Sequence, residues 1–280
     1  MVAPSFRRGE RVVIGYFVYT ALLTLVHPQP VSHKIAAALA PSLLLGAVWA
    51  AQRSGARWTE IARDWDPPAL ILAGYLQLEW FRAAPDVALQ SRFEGWDRAL
   101  LGELGLRRAV EAGGWPVHWL LELSYTLLYA IPAFCIASLY LARRRDRVDT
   151  FLSTFALGTF AAYALLPHFP TLPPREAFPG AELPSGSNVW RGVNLWLLGK
   201  FDISTSVFPS GHVAVAFSSA FGLFRALPEN RRLFAGVLAS AGVVYIATVY
   251  GRYHYAADGA ASILISLAAW AVTEALDRYA

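Results

Sequence analysis

Apolar runs at 12–26, 35–51, 69–81, 117–142, 151–166, 212–227, 233–250 and 257–276 leave this chain few folds to choose from. A helix rises about 1.5 Å per residue, so roughly 17–25 apolar residues cross a hydrocarbon core about 30 Å thick. Lipid offers nothing to an unpaired N–H or C=O, so such segments satisfy their backbone internally, as helices. The expectation is an all-α, polytopic membrane helix bundle of about eight spans. Composition agrees: 56% of residues are hydrophobic and 16% charged, against about 45–50% and 25% in soluble domains.

The run at 12–26 follows a short basic segment and ends at His27-Pro28-Gln29-Pro30. No clear small-residue cleavage site follows it, so it reads as an uncleaved span. The segment 52–68 is polar. Between 82 and 115, Phe93, Trp96, Leu100, Leu101, Leu104 and Val110 recur at roughly helical spacing among charges. That pattern fits an amphipathic helix at the membrane interface, or equally a solvated helix packed on the bundle. Residues 167–207 read as a long, polar, proline-rich loop.

Arginine orients the spans. With the loop Arg143-Arg144-Arg145 cytoplasmic, eight spans put both termini, 52–68 and 226–232 on the same side, together with Arg7, Arg8, Arg11, Arg53, Arg57, Arg63, Arg231, Arg232 and Arg278. This is the positive-inside pattern, with the five arginines of 82–115 as its exception. The arginines form no stripe or tail, so the pI near 9.3 gives no reason to expect a nucleic-acid partner. The single cysteine, Cys135, excludes a disulfide within the chain and a cysteine-based metal site.

Two polar pieces fall where apolar runs begin. Ser210-Gly211-His212 opens one run; His254 and Asp258 open the last. The run between them returns the chain, so both pieces lie on one side, which the arginine count makes extracytoplasmic. On a helix, His254 and Asp258 are four apart and share a face, where a carboxylate holds an imidazole and fixes its tautomer. The backbone N–H groups of Ser210 and Gly211 can face an anion. Two histidines, a carboxylate and nearby arginines suit phosphoryl transfer.

Pro209-Ser210-Gly211-His212 and His254-x3-Asp258, with Arg175 in Pro173-Pro174-Arg175, make the chain resemble the type 2 phosphatidic acid phosphatase superfamily, the integral-membrane lipid phosphatases and phosphotransferases. That family's signatures are Lys-x6-Arg-Pro, Pro-Ser-Gly-His and Ser-Arg-x5-His-x3-Asp. Here His168 stands at the lysine position and Glu176 at the proline after the arginine. Ala247-Thr248 occupy the Ser-Arg position, and Arg252 lies two residues before the histidine. These departures resemble the branch containing inositol phosphorylceramide synthases. The resemblance runs from about residue 69 onward and divides the chain into a two-span N-terminal addition, 1–66, and a six-span catalytic core, 67–280.

The resemblance implies metal-independent transfer from a membrane lipid phosphate, without a cofactor. His254 would attack phosphorus, forming a phosphohistidine, with Asp258 orienting it. His212 would protonate the leaving alcohol, then activate water or an acceptor alcohol. Arg175, Arg252, Ser210, Gly211 and His168 would bind the phosphate. Hydrolysis and headgroup transfer share the first half-reaction and both stay open, as do the lipid and the oligomeric state. A rival of another class is a transporter with a His/Asp proton relay, which would sit nearer mid-membrane; a vanadium-dependent peroxidase fits the membrane context poorly. Arg191, Lys200 and Asp202 read as solvated, and Glu79 and Glu122 need partners that spacing does not name.

Overall fold

The computed structural model describes residues 6–180, 183–184, 186, 188–204 and 206–278. Among these there is no strand, and the chain is all-α. In order come α1 (Arg8–Val26), α2 (Val31–Ser54), α3 (Arg57–Gln77), α4 (Val87–Asp97), α5 (Leu106–Ala112), α6 (Gly114–Leu127), α7 (Ile131–Leu141), α8 (Val148–Leu165), the short α9 (Pro174–Ala177), α10 (Val189–Phe201), α11 (Gly211–Ala226), α12 (Arg231–Tyr250) and α13 (Ala256–Arg278). Several starts are written in the sequence as N-caps. Asp86, Asn188, Ser210 and Asn230 each accept a backbone N–H from the first turn of the helix that follows.

Among the described residues, six helical segments are long and apolar enough to cross a membrane: α1, α2, α6 with α7, the stretch around α8, α12 and α13. The protein is an integral membrane protein. α8 forms the centre, with α1, α3, α11 and α13 against it. α11 is buried on nearly all sides because its inward positions are small: Ala214, Ala216, Ser218, Ala220 and Gly222. Small residues let helices approach closely where water gives no drive for association. Gly158 of α8 shows how close: a Cβ there would lie 2.1 Å from Ser218 Oγ. Ser218 in turn donates to Ser266 of α13 at 2.9 Å. Val13, Tyr16, Phe17 and Leu23 of α1 share this core, whereas α2 buries little beyond Ala37 and Pro41.

Three segments differ from expectation. α3 begins at Arg57 and runs through Pro67 and Pro68, although each proline removes a helical N–H; the polar segment and the apolar run after it are one helix. The helical spacing over 82–115 is broken by a π-turn at Arg98–Glu103 and by left-handed Gly105, φ +72°. α4 before the break buries Gln90, Phe93, Glu94 and Asp97, a face with two charges, and leaves Trp96 exposed. The proline-rich stretch 167–207 contains α10, whose Asn194 and Leu198 are buried.

Candidate active site

The N-terminus of α11, the turn between α12 and α13, and the segment after α8 converge at one end of the bundle. Ser210 caps α11, its Oγ accepting from the Val213 N–H at 3.3 Å, and its own N–H donates to the Asp258 carbonyl at 3.1 Å. A Cβ on Gly211 would sit 2.8 Å from the Tyr163 ring, so only glycine allows this approach. Ser210 is fully buried and its hydroxyl is engaged in the cap.

The next residue, His212, meets the second histidine. His212 Nδ1 lies 3.0 Å from His254 Nε2. On its far side, His254 Nδ1 lies 3.0 Å from the Val207 carbonyl and 3.2 Å from Asp258 Oδ2. On the near side, His212 Nε2 meets the hydroxyls of Tyr129 at 3.0 Å and Tyr125 at 3.3 Å. The protons in this row follow from one group. A carbonyl only accepts, so His254 Nδ1 carries the proton and Nε2 a lone pair. His212 then donates through Nδ1 and accepts at Nε2 from a tyrosine hydroxyl. Asp258 Oδ2 also accepts the Tyr255 N–H at 2.9 Å, which holds the carboxylate against the ring. Burial lowers the pKa of His254 to about 4, with the Asp202 carboxylate opposing and Arg175 reinforcing the shift. The imidazole is therefore neutral at pH 7, with its nucleophilic nitrogen facing the second histidine.

The arginines divide. Arg252 is fully buried, in a left-handed conformation (φ +59°). Its guanidinium donates to Asp97 Oδ2 at 2.6 Å and to Glu94. Expected from the sequence to hold phosphate, its side chain here ties the His254 turn to α4. Asp97 grips the turn twice, since its Oδ1 accepts the Ala256 N–H at 2.9 Å. Burial raises Asp97 to about 6, against the Ala256 N–H and Arg252, which hold it charged. Arg175 stays close to the pair. Its N–H donates to the Arg252 carbonyl at 3.2 Å, its guanidinium lies over the Tyr253 ring, and its Nη2 reaches Asp202 at 3.3 Å and Glu176 at 3.2 Å. His168 is elsewhere, its Nε2 on the Tyr19 hydroxyl at 2.8 Å.

Sequence reasoning missed several residues here. Arg191, expected in solvent, also lies near the Tyr253 ring and donates to Glu122 at 2.9 Å. Glu122 also accepts from Asn194 at 2.8 Å and from the Tyr253 hydroxyl at 2.7 Å, which answers how a carboxylate survives within a span. Glu79 finds the Ser204 N–H and hydroxyl, at 2.6 and 2.7 Å. Tyr125 and Tyr129 carried no sequence signal beyond being aromatic. They lie four residues apart, so they share one face of the span, and that face meets His212.

A cavity of about 390 Å³ opens in front of His212, between α3, α7, α8, α10 and α11. Its floor is apolar, with Ile71, Leu72, Pro132 and Phe155, while Tyr75, Tyr129, Asp202 and His212 form its polar end. Such a cavity accepts an amphiphile whose polar end lies at the histidines.

A sequence model of the PAP2 superfamily matches residues 95–272 of the chain. No curated protein and no solved structure matches it.

Proposed function

The chain belongs to the PAP2 superfamily, and on that premise we propose that it transfers the phosphoryl group of a membrane lipid phosphate through a phosphohistidine on His254. The observation that carries this reading is the 3.0 Å contact between His212 Nδ1 and His254 Nε2, within a row whose protons are fixed by the Val207 carbonyl. A bound phosphate anion favours a second proton on His212. His254 Nε2 then attacks phosphorus, the P–O bond to the lipid alcohol breaks, and the His212 Nδ1 proton goes to the leaving oxygen. His212 remains neutral, its Nε2–H held by the Tyr129 and Tyr125 oxygens. Its free Nδ1 lone pair next takes a proton from water or an alcohol, whose oxygen displaces His254 from phosphorus.

Asp258 orients the nucleophile. Arg175, with the Gly211 N–H, supplies the donors for the phosphate oxygens. Ser210 acts through the helix cap. His168 and Arg252 serve at a distance, on α1 and α4. The apolar cavity leading to His212 supports a lipid substrate.

In this reading α3 and α11 also cross the membrane, for eight spans, with the histidines at the extracytoplasmic surface and both termini in the cytoplasm. α4 and α5 lie at the outer interface. The N-terminal two spans, within 1–66, are an addition in sequence whose first helix is built into the common core. Purified protein in detergent with EDTA should release phosphate from phosphatidic acid or a polyprenyl phosphate, and His212→Ala should not. Equal release by both proteins overturns the reading.

A further inference from the structure

None of the residues that point to phosphoryl transfer lies on α4, yet α4 touches both segments that hold His254. Asp97 brackets the histidine along the chain. Its Oδ2 accepts from the guanidinium of Arg252, two positions before His254, at 2.6 Å. Its Oδ1 accepts the N–H of Ala256, two positions after it, at 2.9 Å. Glu94, three residues earlier on α4, takes the second guanidinium nitrogen. Phe93 packs on Tyr255 and on Phe208, with ring centroids 5.6 and 5.1 Å apart. Phe208 follows Val207, whose carbonyl lies at the Nδ1 of His254. The carbonyl of Arg252 in turn accepts the N–H of Arg175 at 3.2 Å.

Stability alone does not explain this arrangement. Arg252, Glu94 and Asp97 are almost wholly withdrawn from solvent, and a buried ion pair is on balance no more stabilising than apolar side chains of the same size. Arg252 also holds a left-handed φ of +59°, which is unfavourable for a residue with a Cβ and persists only where its surroundings impose it. What charged, directional holds on both sides of a residue do supply is a fixed position for the residue between them.

We propose that Asp97 and Glu94 are positioning residues for phosphoryl transfer, acting through Arg252 and the Ala256 N–H to hold His254 Nε2 where it attacks phosphorus, and that Arg252 itself binds no phosphate. The proposal rests on the phosphohistidine reading and deepens it. Both terminal nitrogens of Arg252 are spent on α4, which leaves the phosphate oxygens to Arg175 and the Gly211 N–H. Without the two holds the turn is free to shift at His254, and a misplacement of about 1 Å costs about 10²-fold in rate. A protonated Asp97 keeps acceptor capacity on its oxygens, so the holds outlast its titration.

The variants are assayed in detergent on phosphatidic acid or a polyprenyl phosphate, with kcat counted per folded molecule. The assay is run at pH 8, where Asp97, pushed up to about 6 by burial, is ionised. Asp97→Ala should lower kcat about 10²-fold. It should leave KM and the inhibition constant of inorganic phosphate within about twofold of wild type, because no phosphate contact is lost. Asp97→Asn keeps an oxygen for one of the two holds and should stand at least about fivefold above Asp97→Ala, the scale of one hydrogen bond. Arg252→Lys keeps the charge but cannot span both carboxylates, and should lower kcat about tenfold with the inhibition constant unchanged. It leaves no buried carboxylate without a cation, so it carries the test if Asp97→Ala does not fold. Wild-type kcat per folded molecule in Asp97→Ala or Arg252→Lys overturns the proposal and leaves the phosphohistidine reading standing. A tenfold weaker inhibition by phosphate in Arg252→Lys makes Arg252 a phosphate ligand and also overturns it. Wild type that releases no phosphate overturns the reading beneath, and the proposal with it.

Discussion

At the start of α8, Arg7, Arg63 and Arg145 meet Glu10, Glu60 and Asp64; past its far end, His212 and His254 meet Asp258, Tyr129 and Arg175. Both clusters join distant parts of the chain, and both are rich in charge. The first is closed. Arg63 spends its guanidinium on Glu10 at 2.6 and 2.9 Å and on Glu60 at 2.9 Å. Arg7 reaches Asp64 and Glu60 at 2.6 and 2.5 Å, and Arg145 reaches Asp64 at 2.7 Å. Three cations answer three anions, and α1, α3 and the α7–α8 junction are tied together. The second is a row of hydrogen bonds whose last members, Tyr129 and His212, open onto a cavity. Charge density does not separate a functional end from a structural one. A neutral imidazole pair with donors that open onto a cavity does.

The comparison breaks most readily at the nucleophile. His254→Ala should lower kcat by about 10³-fold or more, as loss of a covalent catalyst does, far more than the loss of its hydrogen bonds lowers stability. Asp64→Ala should do the reverse. It leaves Arg7 and Arg145 without their shared partner and costs about 2 kcal/mol. That is below the roughly 3–5 of a wholly buried pair, because both arginines keep some solvent. Thermal unfolding reads this loss, while kcat per folded molecule stays put. A fall in kcat with Asp64→Ala would erase the contrast between the two ends.

The pH dependence sharpens the same contrast. His254 has its folded pKa, about 4, below the ordinary 6.5, so the fold disfavours the protonated ring. Its stability contribution and its nucleophilic form are both present above 6.5 and are lost as pH falls through about 4. The acid limb of kcat/KM should therefore lie near 4; a limb near 6.5 would place the ring in solvent. The smallest effect is expected from Tyr129→Phe. Removing the hydroxyl from His212 Nε2 should lower kcat about tenfold, the scale of one neutral hydrogen bond, with KM and melting temperature nearly unchanged.

Much of the scaffold was legible before any coordinates. Apolar runs of span length forecast helices because lipid permits little else; His254 and Asp258 do touch, but His254 lies in the turn before α13 and not on a helix face shared with Asp258. What stayed hidden depends on backbone direction and on partners far apart in sequence. Arg252 looks like a phosphate ligand by position, but a left-handed φ turns it onto Glu94 and Asp97, more than 150 residues away. Arg191 and Asp202 looked solvated because their segment is rich in proline and polar residues, and no periodicity announced that α10 would fold back over Tyr253. Tyr129 is one tyrosine among twelve, and only the packing of its span against α11 brings it to His212.

The most direct measurement is a rapid acid-avoiding quench of the protein with a lipid phosphate labelled at phosphorus, followed by peptide mapping. The account predicts an acid-labile, base-stable label on the peptide containing His254, absent from His254→Ala and slower both to form and to decay in His212→Ala, which lacks the acid of the first half-reaction and the base of the second. Label on any other residue, or phosphate release by wild type with no labelled intermediate under these conditions, contradicts it.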